Sequence, residues 1–233
     1  MSVPLRLPSL RSLSLSLLAL FLVGASDPQA PEAGDLPLVV EADFERGGLS
    51  GWDFTDPAAW TISEQEGNHV LDQARGSKYE PPVRSPLNIA LIQGLDVGDF
   101  VLDVKVQSTA RDYGHRDLCL FFGHQDPSHF YYVHLGKEAD PHAHSIFLVN
   151  GAPRVSIAED RTKGTPWTDG WHRVRLERRA RDGLIRVFFD DMDTPIMTAH
   201  DSTFRHGRLG VGSFDDTGRF DAIRVRGTKA TAE

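Results

Sequence analysis

From Leu38 to about Arg226 the chain repeats one pattern: a short run of alternating or β-branched and aromatic residues, then Gly, Pro, Asn or Asp. Examples are Leu38–Phe44, Asp99–Ser108, Asp117–Gly123, His129–Leu135, Trp171–Arg179 and Phe220–Arg226. Alternation with a period of two is the signature of strands with one face buried. No stretch reads as a long amphipathic helix, and no repeat of fixed period is present. Asn150-Gly151 and Arg181-Asp182-Gly183 each separate two such runs, and these residues enter positive φ at little cost, as tight hairpins require. Many short antiparallel strands with no helices to cover them must bury their apolar faces against each other. The sequence therefore predicts an all-β, two-sheet antiparallel β-sandwich, built as a single domain over residues 38–228.

What precedes the strands reads differently. Arg6 and Arg11 are followed by an apolar and serine run, Leu13 to Val23, too short to span a bilayer comfortably, and then by small residues. Residues 1–25 are expected to be a signal peptide and 26–37 a flexible leader rich in Pro and Asp. That predicts a secreted or periplasmic protein of a bacterial envelope, with no stable membrane insertion after cleavage. Cys119 is the only cysteine, so no internal disulfide can form. The full chain carries a formal charge of −8; beyond residue 25 it holds 23 basic against 33 acidic residues, a net −10. Such an acidic surface disfavours nucleic acid as a partner and leaves an oligo- or polysaccharide as the expected one.

The motifs of the C-terminal half narrow the fold. Trp171-His172-Arg173-Val174-Arg175-Leu176-Glu177-Arg178 resembles a strand typical of laminin-G-like domains, and Ile185-Arg186-Val187-Phe188-Phe189-Asp190 resembles the hairpin strand that follows it. Gly207 to Gly212 and Phe220 to Val225 are similar to the closing strand pair, and Asp43-Phe44-Glu45 with Gly51-Trp52 to the opening strand. The chain is identified on these motifs as similar to the concanavalin A-like lectin/glucanase superfamily, which implies a jelly roll. More distant similarity extends to 3-keto-disaccharide hydrolase-type and family-16-like domains. Because such folds host both binding and catalysis, the resemblance leaves three readings open: a glycan-binding protein, a small glycoside hydrolase, polysaccharide lyase or keto-sugar hydrolase, and a structural or adhesive laminin-G-like module.

Six of the ten histidines lie between His115 and His144. Strand alternation puts Leu118, Leu120 and Phe122 inward and Asp117, Cys119 and Phe121 outward; likewise Phe130, Tyr132 and His134 face outward. Pairing Phe121 with Phe130 across a turn at 123–128 sets Cys119 beside Tyr132 and Asp117 beside His134, and a hairpin centred on Ala139 sets His134 opposite His144. Asp99–Ser108 on the other flank would add Lys105 and Gln107 to the same face. The resulting row of Gln107, Asp117, His134 and His144 mixes aromatic rings with hydrogen-bonding groups, as sugar sites do. The expected ligand contacts are Lys105, Gln107, His115, Arg116, Phe121, Tyr132, His134, His144, Arg154 and Trp167, with Trp167 as a stacking platform and Trp171 in the core. Asp117, His134 and His144 are the candidate catalytic groups, or else the ligands of zinc or iron. Glu41-Ala42-Asp43-Phe44-Glu45 matches the E-x-D-x-E catalytic strand of family-16 glycoside hydrolases, but on the wrong strand, so catalysis is not assigned to it. The resemblance also implies a structural Ca2+ near Asp43 and Asp221.

Overall fold

The computed structural model describes Met1 and residues 36–46 and 48–230; the expected signal segment beyond Met1 and the leader up to residue 35 lie outside them. Two antiparallel sheets make up the fold, joined by loops and one short 3-10 turn at Pro57–Ala59. The nine-stranded sheet contains β1 (Leu38–Ala42), β3 (Trp60–Gln65), β4 (Asn68–Gln73), β6 (Val97–Ser108), β11 (Asp160–Arg161), β12 (His172–Arg179), β13 (Leu184–Phe189), β14 (Met197–His200) and β16 (Gly218–Lys229). Its order is β11-β14-β13-β12-β6-β16-β4-β3, with β1 added to the far half of β16. The seven-stranded sheet contains β2 (Trp52–Phe54), β5 (Asn88–Ile92), β7 (Cys119–Asp126), β8 (His129–His134), β9 (Ser145–Asn150), β10 (Val155–Ser156) and β15 (Arg208–Ser213), ordered β10-β9-β8-β7-β15-β5-β2. This is the two-sheet antiparallel jelly-roll sandwich that the strand pattern and motifs predict.

The main core lies between the sheets. Phe100, Leu102, Val104 and Val106 of β6 meet Leu118, Leu120, Phe122, Tyr131 and Val133 of the opposite sheet, each almost wholly removed from water. The seven-stranded sheet is also apolar on its other face. Ile89, Leu91, Cys119, Phe121, Phe130, Tyr132, Phe147 and Val149 form a second cluster there, with Val83 and Phe214 packed against it. The segment between β4 and β5 and the loop after β15 therefore close over a face that alternation alone would leave open.

Two expected placements change. β6 pairs with β12 and β16, so Asp103, Lys105 and Gln107 point outward as alternation requires, but from the nine-stranded sheet. Alternation fixes a residue's face within its sheet, not which sheet the strand joins; that is decided by long-range pairing. The register of β7 on β8 also shifts by two. Cys119 pairs with His134 and Phe121 with Tyr132, because β7 continues to Asp126 through a bulge at Gly123, where φ is 56°. A slip of two residues preserves the face, so the outward set keeps its company.

Candidate functional site

Antiparallel pairing of β7 with β8 brings the entry to one strand beside the exit of the other. Leu135 N–H donates to the Leu118 carbonyl at 2.9 Å, and Lys137 N–H to that of Arg116 at 2.9 Å. Asp117 lies two residues before Cys119, hence on the same face, and β15 on the other flank pairs Gly212 with Cys119. The loop leaving β15 is thereby delivered to Asp117. Phe214 N–H donates to Asp117 Oδ2 at 2.8 Å, Asp117 N–H donates to Asp216 Oδ2 at 2.9 Å, and the Tyr113 hydroxyl donates to Asp216 Oδ1 at 2.9 Å. Buried amides fix the loop from below: Asn88 Nδ2 and Gln73 Nε2 both donate to Ser213 Oγ, at 2.9 and 3.0 Å, and the Ser213 hydroxyl donates to the Asp216 carbonyl at 2.6 Å.

The floor of this cluster is buried and its rim is open. Asp117, Cys119 and Tyr132 are fully enclosed and His134 is 3% exposed, whereas Asp215 and His115 are exposed and Asp216 and Arg154 partly so. The Arg154 guanidinium lies 4.0 Å from the Phe214 ring centroid and 5.2 Å from that of Phe147, and its Nη2 donates to the His142 carbonyl at 2.9 Å. Burial, reinforced by the Asp117 carboxylate, raises the Asp216 carboxyl to about 6. Burial and then Asp117 also push the Cys119 thiol well up, so its S–H, 3.4 Å from Asp117 Oδ2, stays available to that oxygen.

Polar satisfaction breaks down here. Among the described residues eight buried side-chain polar atoms lack a hydrogen-bond partner, and five belong to this cluster: Asp117 Oδ1, His134 Nδ1 and Nε2, Tyr132 Oη and Arg154 Nη1. His134 Nε2 lies 3.3 Å from Asp117 Oδ2 without hydrogen-bond alignment. Each orphaned buried group costs roughly 1–3 kcal/mol, so a concentration of them at one point calls for a partner there, whether water, ion or ligand.

The remaining sequence candidates scatter, each for a visible reason. His144 pairs in line one residue short of the expectation, since His134 faces Ser145. It takes a left-handed φ of 52°, and its ring lies between Thr165 Oγ1 at 3.0 Å and Thr162 Oγ1 at 2.9 Å. Burial, with Arg161 nearby, lowers it to about 4. Arg116 is buried and ties Ser108 to the 168–169 loop, donating to the carbonyls of Ser108 at 2.8 Å and Thr168 at 3.0 Å. His115 Nε2 reaches Asp140 Oδ2 at 3.1 Å on the surface. Phe121 is interior to the second cluster. Trp167 is in the main core, its Nε1 donating to the Leu135 carbonyl at 2.7 Å, so it is no platform; Trp171, expected inside, is 37% exposed.

Lys105 and Gln107 meet on the outer face of the nine-stranded sheet. With Gln65, Glu66, Asn68, Trp171 and Asp221 they line an open depression of about 420 Å³. Asn68 Nδ2 donates to Asp221 Oδ2 at 3.2 Å, and Gln107 Nε2 to the Asp169 carbonyl at 2.7 Å. Asp43 caps its own turn by accepting from Glu45 N–H at 3.2 Å. Among the described residues the groups of three side chains able to share a cation are Asp117–Cys119–His134 and Asp117–Asp215–Asp216; neither Asp43 nor Asp221 belongs to them. In the sequence Asp215-Asp216-Thr217-Gly218 reads most simply as a turn between the last two strands, one that could also line an end of the groove.

Fold and site together define a jelly-roll protein with a polar cluster at one end of its seven-stranded sheet. Comparison of the sequence with protein families finds no match, and comparison with curated proteins finds none. Solved structures do match. The carbohydrate binding module CBM66 from Bacillus subtilis is 18% identical, with a TM-score of 0.54 over 76% of this chain and 95% of that one. Domain 4 of AbnA, a GH43 extracellular arabinanase from Geobacillus stearothermophilus solved with arabinotriose, is 12% identical, with a TM-score of 0.54 over 84% and 95%. The carbohydrate recognition domain of Emp47p is 12% identical, with a TM-score of 0.54 over 85% and 99%. At these identities the likeness is one of fold.

Proposed function

We propose that this protein binds a glycan, and takes it end-on at the Asp117–His134–Asp216 end of the seven-stranded sheet. The carrying observation is the set of five unsatisfied buried atoms that lie together beneath an open rim. They include donors and acceptors, and a sugar offers vicinal hydroxyls that donate and accept at once. Asp215, Asp216, Arg154 and His115 would meet the sugar at the rim. Packing supports the end-on mode: Phe121, Phe130, Tyr132 and Phe147 are buried with Val83 and Phe214 packed against them, so among the described residues these rings offer a sugar no stacking face. The structural neighbours that are carbohydrate-binding modules or recognition domains support the sugar as ligand class. Export belongs to the same reading, on the strength of the apolar run Leu13 to Val23 that follows Arg6 and Arg11. Among the described residues no helix is long and apolar enough to cross a membrane.

The test is a glycan array followed by calorimetry on the wild type, Arg154→Ala and Asp215→Asn, with product analysis on the same samples. Binding that falls at least about tenfold in both variants supports the assignment; binding that is equal in all three defeats it. Released product would convert the reading from binding to catalysis. A second reading rests on a separate observation, the half-open Trp171 above Lys105, Gln107 and Asp221. It places the sugar on the opposite sheet, and Trp171→Ala then abolishes binding while Arg154→Ala does not. N-terminal sequencing of protein recovered from outside the cytoplasm tests export: a start near Ser26 is expected, and an intact Met1 is not.

A further inference from the structure

We infer that Asp117, Cys119 and His134 form a binding site for a divalent transition-metal ion of the zinc class, in which the cysteine binds as thiolate. The proposal goes beyond glycan recognition; it shares Asp117 and His134 with that reading, and Cys119 belongs to it alone.

The three side chains converge from adjoining strand ends, and all are buried. Each offers one ligand atom, and these atoms lie within 4.8 Å of one another. Asp117 Oδ2 is 3.4 Å from Cys119 Sγ and 3.3 Å from His134 Nε2. Tetrahedral zinc with bonds of about 2.0 Å to N and O and 2.3 Å to S sets ligand–ligand edges of roughly 3.3–3.5 Å, the spacing of the two edges that meet at Asp117 Oδ2, and the third, from Cys119 to His134, is within 4.8 Å. The imidazole supplies the second, independent sign. An Asp–His pair held for structure would be aligned as a hydrogen bond, but His134 is 3% exposed with neither ring nitrogen partnered. A cation between Nε2 and the carboxylate supplies what that contact lacks.

The donor set selects the metal. Carboxylate, thiolate and imidazole together suit a borderline-soft ion and are wrong for calcium or magnesium, which take oxygen ligands. Three protein ligands leave a fourth position, the pattern of a site that meets solvent or substrate rather than a closed structural one. Asp117 also belongs to the second acidic group, and Asp215 in that group is exposed, so a path of carboxylates leads from the surface to the floor. On binding, the Cys119 S–H bond breaks, its proton leaves to solvent, and the sulfur electron pair forms the metal–sulfur bond.

The experiment is a Co2+ titration of the untagged, chelator-treated full chain, followed by absorption spectroscopy. The expected result is one Co2+ per chain, tetrahedral d–d bands, a thiolate-to-cobalt charge-transfer band in the near ultraviolet, and displacement by Zn2+. Cys119→Ser should lose the charge-transfer band and bind Co2+ about tenfold or more weakly. His134→Ala should also weaken binding, while His142→Ala, on the neighbouring turn, should not. Circular dichroism and melting of the metal-free proteins establish that each variant is folded. A folded wild type that takes up no stoichiometric Co2+ overturns the site. So does uptake without a thiolate band, or with a band that survives Cys119→Ser. Glycan binding measured on the same wild-type samples with and without Co2+ separates the two proposals, since the thiolate band reports the metal site alone.

Discussion

Trp167 is packed edge-on to His172 and Phe189, whereas Trp171, four residues later, lies half open over a depression. Their removal should differ accordingly. Trp167→Ala strips a core ring and leaves the Leu135 carbonyl unpaired, a loss of about 3–5 kcal/mol that urea denaturation would register. Trp171→Ala should stay within about 1 kcal/mol of the wild type. Two histidines bear on acid stability. Burial, with Arg208 near one and Arg161 near the other, lowers His124 and His144 to about 4 in the folded chain, against 6.5 for a free imidazole. The unfolded chain therefore takes up protons below about pH 6.5 that the folded chain refuses until about pH 4. Their contribution is complete above pH 6.5 and drains away as the pH falls through that window, by up to ~3 kcal/mol for each. His144→Gln can keep a hydrogen bond to Thr162 or Thr165 without titrating. Melting temperatures at pH 7 and pH 5 should fall further for the wild type than for this variant; equal falls would refute the assignment.

Strand β15 fits between β5 and β7 because two of its residues have no side chain. A Cβ on Gly212 would come within 1.9 Å of the Asn88 carbonyl oxygen, and one on Gly210 within 2.3 Å of that of Ala90. Gly212→Ala should cost about 3 kcal/mol or more by guanidinium denaturation, and Gly76→Ala, which meets nothing within 4 Å, should be nearly silent. At this scale the sequence is informative about faces and poor on partners. Alternation correctly sets Asp117, Cys119, Phe121, Tyr132 and His134 on one side, because a side chain's face is fixed by its own strand. It cannot see the bulge at Gly123, which comes from the hairpin's geometry, nor that β6 leaves for the other sheet. It also leaves the second apolar cluster looking like an open surface, since Val83 and Phe214, which cover it, arrive from loops without periodicity. The short β2 and β11 are legible only through their pairing with β5 and β14.

The whole molecule has a formal charge of −8, so association with a neutral sugar should owe little to long-range attraction. Calorimetry at roughly 0.05 M and 0.5 M salt should give affinities within about twofold of each other; a steep decline would point to a charged ligand. The two candidate surfaces lie on outer faces of opposite sheets, and among the described residues five of the eight buried unsatisfied groups gather at the one on the seven-stranded sheet. The covering of the seven-stranded sheet by Val83 and Phe214 carries one more consequence. A polysaccharide gripped at its tip presents a single docking point however many sugar units follow, so saturation would track the number of molecules in a sample and not its weight. Light trimming of a long polymer by an unrelated endo-acting hydrolase, at constant total sugar, would then multiply the protein retained.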